Sequence, residues 1–362
     1  MRFSSGTFDA ALPCGRLFVM ILLLGASGYL GRAFARELRR RGYVFIPLVR
    51  RAFDYGQMSL LLQYVRKTTP QLVINAAGYS GRPNVDECEH EPTRTFQANT
   101  ILPQIVARVC LATNTPWAHV SSGGIYSGAR VIEAGRVRIV RDLNQPEIRE
   151  LYDTHPERFL GFTELDPPNF TFQKGPCGFY AGTKALAEES LQSLGAGYIW
   201  RPRIPFGEVD EPCNLLSKLQ SYARIYDHVT SLSHVDDCVR ACLDLWEQHA
   251  PFGIYNVTNP GAVTTREVVE MIQRFLKLDR HFEYWADEEE FYTQGALAPR
   301  SSCILDVSKL LSLGIKIRPV KEALAAALKE WRPASPPASH SDPVLLPLGR
   351  AGNPVADRFV HL

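Results

Sequence analysis

Apolar residues in the first half of the chain fall into short continuous runs separated by amphipathic stretches. Residues 18 to 24 (Phe-Val-Met-Ile-Leu-Leu-Leu), Val44 to Val49, Leu72-Val73-Ile74 and Trp117 to Val120 are each of strand length. Continuous runs of this kind fit strands covered on both faces, as in a parallel sheet. The intervening stretches, about 30–41, 56–67 and 93–113, predict helices, so strand and helix alternate as in an α/β fold. Tyr198 to Arg201 reads as the last clear strand of this series. Beyond it the alternation loosens. Ser233-His234-Val235-Asp236-Asp237 opens a helix with Asp236 as its expected cap, Gly253 to Asn256 is a strand and turn, and Thr264 to Leu276 an amphipathic helix.

Composition narrows the class. The chain has 362 residues, 45% hydrophobic and 22% charged, enough for a large core in one α/β domain plus a smaller lobe. A net charge of +2 argues against a nucleic-acid partner. The eight cysteines form no Cys-x-x-Cys pair, which suits reduced thiols in a cytoplasm better than a disulfide framework or a metal site. Arg16, the apolar residues 17–24 and Gly25-Ala26-Ser27 imitate a short signal peptide. Cleavage there would cut into the glycine loop described next, and the apolar run is too short to span a bilayer, so no membrane association is expected.

The first strand runs into Gly25-Ala26-Ser27-Gly28-Tyr29-Leu30-Gly31. Glycines after a strand and before a helix allow a tight turn, close approach to a pyrophosphate and tight helix packing, with helix N–H groups facing the phosphates. This predicts a Rossmann-type doubly wound parallel sheet holding a dinucleotide. The expected division is an extension at 1–19, an NADP-binding domain at 20–201 with an insertion at about 129–159, a mainly substrate-binding smaller lobe at 202–332, and a flexible Pro- and Ser-rich tail at 333–362. Arg50-Arg51 ends the second strand where an NAD-specific fold would place an acid, and Arg32 follows the third glycine, so NADP(H) is favoured over NAD(H). Asn75-Ala76-Ala77-Gly78 would let a cofactor pass over the third strand, and Asn99 lies on the following helix.

Ser122 sits at the carboxyl end of the fourth strand, the edge where open α/β sheets bind ligands. Tyr180 and Lys184 are one turn apart on one helix face. An ammonium beside a phenol favours the phenolate, which lets the tyrosine exchange a proton near neutral pH.

Gly25-x-x-Gly-x-x-Gly31, Ser122 and Tyr180-x-x-x-Lys184 together resemble the extended short-chain dehydrogenase/reductases. Asn75 to Glu89, Glu164 to Thr171, Arg201-Pro-Arg-Ile-Pro205 and Ala298-Pro-Arg-Ser301 are similar to the UDP-4-keto-6-deoxyglucose 3,5-epimerase/4-reductases and, more distantly, to dTDP-4-dehydrorhamnose reductases. The resemblance implies an NADPH-dependent oxidoreductase of rhamnose-type nucleotide sugars. Tyr180 would be the general acid, Lys184 the residue that lowers its pKa and holds the nicotinamide ribose, and Ser122 the carbonyl-polarising hydroxyl. Substrate would be held by Arg82, Asn84, Asn214, Lys218 and Arg300, and the family leaves a homodimer open. Where the epimerase/reductases carry a Cys after Thr-Gly, this chain has Gly124, so the epimerase half lacks one of its two implicated residues while Lys218 retains the other. Two other functions stay open: an NAD-dependent sugar-nucleotide epimerase or dehydratase, and a non-catalytic nucleotide-binding subunit.

Overall fold

The computed structural model describes residues 19–334. The predicted extension and tail therefore lie almost wholly outside the described residues. In chain order the elements that build the sheet are β1 (Met20–Leu24), α1 (Tyr29–Arg40), β2 (Val44–Leu48), α2 (Met58–Thr68), β3 (Leu72–Asn75), α3 (Leu102–Ala112) and β4 (Trp117–Val120). An excursion follows, with β5 (Ala129–Glu133), β6 (Arg136–Val140) and β7 (Phe159–Leu160), and then α4 (Phe179–Leu191), β8 (Gly197–Arg201), α5 (Val235–Glu247) and β9 (Gly253–Asn256).

Six parallel strands run in the order β2-β1-β3-β4-β8-β9. Alternate residues of each strand face opposite sides. Ile21, Leu23, Ile74 and Trp200 pack with Phe34 and Leu38 of α1 and Val239 of α5. Leu22, Leu24, Val73 and Trp117 pack with Val65 of α2 and Val106 of α3. The direction of winding reverses between β1 and β3, and such a reversal opens a crevice at the carboxyl ends of the strands.

Two expectations are corrected here. The strand at Tyr198–Arg201 is not the last of the sheet, because β9 pairs with it in parallel from Gly253 opposite Tyr198 to Asn256 opposite Arg201. Residues 235–257 thus return to the sheet after a first passage through the smaller lobe, with Tyr255 and Val257 in its core. Nor does Asp236 cap α5. His234 stands at the N-cap and its Nδ1 accepts from the Asp237 amide at 3.3 Å, while Asp236 turns outward to Arg36 at 2.8 Å.

The smaller lobe has its own core of Phe206, Leu219, Ile225, Val268, Ile272, Leu324 and Leu328. Its helix Thr265–Leu276 starts with a capping box in which Thr264 and Glu267 exchange hydrogen bonds. The excursion after β4 is a three-stranded antiparallel sheet, order β6-β5-β7, with the helix Pro146–Thr154. It packs Val131, Val140, Ile148 and Phe159 against Val229 and Ile304 of the lobe. Asn144 donates to the Tyr226 hydroxyl at 2.8 Å and Arg149 pairs with Asp227 at 3.0 Å, so the insertion braces the lobe segment at 226–227, between the strands Arg224–Ile225 and Val229–Thr230.

Candidate active site

The turn after β1 forms the floor of the crevice. Gly25 has φ +74°, and a Cβ there would lie 2.5 Å from the Ala77 nitrogen, so both its conformation and the approach of the β3 loop exclude a side chain. A Cβ on Gly31 would lie 2.0 Å from the Gly25 oxygen, which explains the closeness of α1 to the turn. Ser27 and Gly28 are exposed at the mouth of the turn, and Leu30 is half-buried. Tyr29 turns its hydroxyl toward Gly207. Ala76, Ala77 and Gly78 form the opposite lip. Arg50 and Arg51 are exposed beyond β2, Arg50 with only Asp54 nearby at 3.6 Å. Arg32 is engaged elsewhere, paired with Glu211 of the smaller lobe.

Asn99 lies in a π-helical turn, Gln97–Ile101, inserted between the short helix Pro92–Phe96 and α3. Its amide is fully buried, accepting from the Tyr79 nitrogen and donating to the Tyr79 oxygen, both at 2.8 Å. This clamps the loop after Gly78 beside Lys184, whose Nζ would lie 3.3 Å from a Cβ on Gly78. The glycine turn, the small-residue lip and a buried ammonium form a cradle that side chains would fill, and that cradle fits a dinucleotide ending at α4.

The catalytic candidates converge. Ser122 is the N-cap of a 3₁₀ turn, its Oγ accepting from the Gly124 amide at 3.0 Å, and its hydroxyl near the Tyr180 phenol favours the phenolate. A Cβ on Gly124 would lie 3.1 Å from Ser122 Oγ and 3.9 Å from Tyr180 Cε1. Burial raises the Tyr180 pKa above that of a free phenol, opposed by Ser122 and by Arg203. Lys184 donates to the Val120 carbonyl at 3.1 Å, and burial pulls its pKa down to about 8. Arg203 is a cation that favours the Tyr180 phenolate, while Lys184 is held on the Val120 carbonyl. A network beneath fixes the strand end: Glu188 of α4 accepts from Ser121 and pairs with Arg201 at 2.5 Å, and Arg201 donates to the Tyr126 hydroxyl at 3.0 Å.

Tyr180 and Gly124 open into a cavity of 480 Å³ between sheet and lobe. Asn84, Lys218 and Arg300 line it. Arg300 pairs with Asp86 at 2.5 Å, which leaves its Nη1 buried without a partner, and burial lowers the Lys218 pKa. Two expected substrate residues stand apart. Arg82 is exposed outside the cavity lining. Asn214 is fully buried and caps the helix Leu215–Ser221, accepting from Leu216 at 3.0 Å while its Nδ2 donates to Gly207 and Val209 at 2.7 Å, so no polar atom remains for a ligand. His119 and Cys177 are not part of the lining. His119 is buried in the sheet, its Nδ1 against Asn75 at 3.2 Å.

Sequence reading missed Glu89, Arg203, Tyr226, His228, Trp285 and Phe291, all on the cavity wall. Tyr226 and Phe291 stack at 4.0 Å, and Arg224 lies 3.9 Å over the Trp285 ring. The second arginine of Arg201-Pro-Arg-Ile-Pro205, just past the end of β8, was the one available signal.

The family model described as "RmlD substrate binding domain" matches residues 19–332. A trifunctional UDP-glucose 4,6-dehydratase/UDP-4-keto-6-deoxy-D-glucose 3,5-epimerase/UDP-4-keto-L-rhamnose-reductase of Arabidopsis thaliana is 28% identical over 84% of this chain, which spans only 40% of that relative's length. A bifunctional dTDP-4-dehydrorhamnose 3,5-epimerase/dTDP-4-dehydrorhamnose reductase of the same plant is 27% identical over 84% of this chain and 90% of its own. In fold, the chain is similar to the crystal structure of dTDP-4-dehydrorhamnose reductase from Bacillus anthracis in complex with NADP, with a TM-score of 0.66 at 20% identity over 86% of this chain and 98% of the other.

Proposed function

The chain belongs to the family of the RmlD substrate binding domain, and on that footing we propose that it is an NADPH-dependent reductase of a nucleotide-linked 4-keto-6-deoxyhexose that does not itself epimerise C3 and C5. One observation carries this reading: Tyr180 and Gly124, with Ser122 Oγ beside them, line one cavity with Lys218 and Arg300, whose Nη1 has no partner among the described residues. A proton donor at one end and cations within the same cavity suit a ketone joined to a diphosphate.

When bound, the nicotinamide supplies the hydride for C4. The chain's own residues do the rest. Ser122 Oγ is positioned to hydrogen-bond the carbonyl oxygen, and Tyr180 holds the proton that the developing alkoxide takes. Lys184, fixed on the Val120 carbonyl beside Gly78, is placed for the cofactor ribose. Arg50 and Arg51, exposed beyond β2, would meet a 2′-phosphate, which favours NADPH. Gly124 offers no acid or base where the cavity meets Tyr180, and that supports reduction without epimerisation.

The deciding experiment incubates purified protein with UDP- and dTDP-4-keto-6-deoxyglucose and NADPH and identifies the product. A 6-deoxyhexose formed with stoichiometric NADPH oxidation supports the reading. Turnover of sugar without net NADPH consumption would point to an epimerase or dehydratase, and cofactor binding without turnover of either sugar, before or after its 3,5-epimerisation, to a non-catalytic subunit.

A further inference from the structure

Arg201 and Arg203 leave the end of β8 in opposite circumstances. Arg201 is neutralised by Glu188, with Nε donating at 2.9 Å and Nη2 at 2.5 Å. Arg203 is only 7% exposed, yet no carboxylate pairs with it among the described residues. Its neighbours are neutral acceptors: Nε donates to Thr230 Oγ1 at 3.2 Å and Nη2 to the Ser301 carbonyl, while its backbone amide donates to Ser233 Oγ at 2.9 Å. These contacts immobilise the guanidinium and leave Nη1, which has no hydrogen-bond partner among the described residues, on the cavity side. There it would lie 3.6 Å from a Cβ on Gly124, at the same corner as Ser122 Oγ and the Tyr180 ring.

A guanidinium taken out of water without a counter-charge is costly, and a rigid one aimed into a ligand cavity is arranged for negative charge that comes with the ligand or arises during reaction. The place selects between these. Nη1 sits at the reacting corner, and the missing side chain of Gly124 leaves the space between it and Tyr180 open. We propose that Arg203 is a charge-stabilising residue of the reduction, its Nη1 facing the oxygens that share one proton at C4, the substrate oxygen and Tyr180 Oη. As hydride adds to C4, the carbonyl π electrons move to oxygen, and the Tyr180 proton passes to that oxygen. The negative charge thus starts on the alkoxide and ends on the phenolate. A fixed cation beside both lowers the barrier throughout.

Several other groups face Tyr180. Lys184 is on its own helix, Ser122 follows β4, Cys88 and Glu89 come from the turn Glu87–His90, and Lys218, His228 and Arg300 line the same cavity. Among these, Arg203 and Ser122 favour the phenolate while Cys88 opposes it.

The inference rests on the reductase reading, and the test separates the two. Arg203→Gln and Arg203→Lys are compared with wild type in steady-state NADPH oxidation with UDP-4-keto-6-deoxyglucose and its dTDP counterpart. The Gln variant should lose about 10²–10³-fold in kcat, as for removal of one preorganised donor, with KM within about threefold. The alkaline limb of its kcat–pH profile should move up, and Lys should restore part of the loss. In parallel, the Tyr180 pKa is read without turnover by ultraviolet difference titration of each protein against the same protein carrying Tyr180→Phe. It should rise in Arg203→Gln even if the wild type reduces neither sugar, in which case only the reductase reading falls. A higher KM at unchanged kcat, with Tyr180 titrating as in wild type, would make Arg203 a phosphate contact and overturn the proposal. Should the Gln variant fail to fold, Arg203→Met, also uncharged and close in length, carries the test. A wild-type kcat and an unmoved Tyr180 titration in that variant would overturn it equally.

Discussion

Glu89 Oε1 accepts the backbone amide of Phe179 at 2.5 Å, and this is the side-chain contact that caps the helix bearing Tyr180. Gly178, at the N-cap itself, has no side chain to do so. A carboxylate at a helix N-terminus satisfies an orphan donor and complements the helix dipole. Glu89→Ala should therefore destabilise the protein by about 0.5–2 kcal/mol, the range for loss of a cap. Urea denaturation reads the loss. Because Tyr180 is the second residue of that helix, kcat should fall while NADPH affinity is retained.

Tyr180→Phe removes the proton donor and leaves the ring. Turnover should fall by about two to four orders of magnitude, the contribution of a positioned acid, with NADPH binding unchanged by fluorescence titration. Near-normal turnover would refute the assignment.

Replacing Arg50 and Arg51 together by Ala should weaken NADPH by about 1–3 kcal/mol, the cost of lost charged hydrogen bonds, and leave NADH nearly untouched. Both side chains are exposed beyond β2, so the fold should be unaffected and thermal denaturation should show no change. Equal weakening of the two cofactors would mean that the arginines only sit nearby.

Gly124 makes the prediction about epimerisation. Inverting C3 and C5 needs proton removal and return beside the ketone, and of the two residues the epimerase/reductases implicate only Lys218 is present here. Reaction in deuterated water with unepimerised substrate should leave C3 and C5 of the product free of deuterium beyond a no-enzyme control. Mass spectrometry reads this directly, and enzyme-dependent deuterium at either carbon means that epimerase activity survives.

Lys184 gives a pH signature of its own. Burial lowers its pKa from 10.5 unfolded to about 8 in the folded chain. Between these values the unfolded chain binds more protons, so this group makes stability rise with pH from about 8 to 10.5. Tyrosines with raised pKa, Tyr126 and Tyr152 among them, act with the opposite sign above pH 10. The measurement is therefore the difference between wild type and Lys184→Met in denaturation midpoint across pH 7–10, with the wild type gaining relative to the variant over the upper part of the range.

The sheet and the nearness of Ser122 to Tyr180 were legible because short-range patterns encode them. β1 to β4 are apolar runs, the turn at Gly25 needs glycine for its φ and its neighbour, and Ser122 and Tyr180 follow from strand end and helix spacing. β9 was not legible as a sheet strand, since the chain leaves for the smaller lobe between β8 and α5 and only tertiary pairing brings Gly253 beside Tyr198. Asn214 misled because a cap and a ligand contact use the same amide. Arg203 escaped because an arginine's importance depends on whether an acid is near it in space, which spacing along the chain does not reveal.

The π turn at Gln97–Ile101 ties two properties of the protein to one residue count. An extra residue in a turn rotates everything after it by about 100° relative to an uninterrupted α-helix. Upstream it holds the Asn99 amide on Tyr79, and downstream it sets which side of α3 presents Leu102, Val106 and Val109 to the sheet. A single-residue deletion anywhere from 97 to 101 would therefore act as a phase error: restoring regular helix would turn the amide off the loop beside Lys184 and swing the apolar stripe of α3 away from β3 and β4. In this segment chain length is itself an inherited constraint, and substitutions should be tolerated where length changes are not.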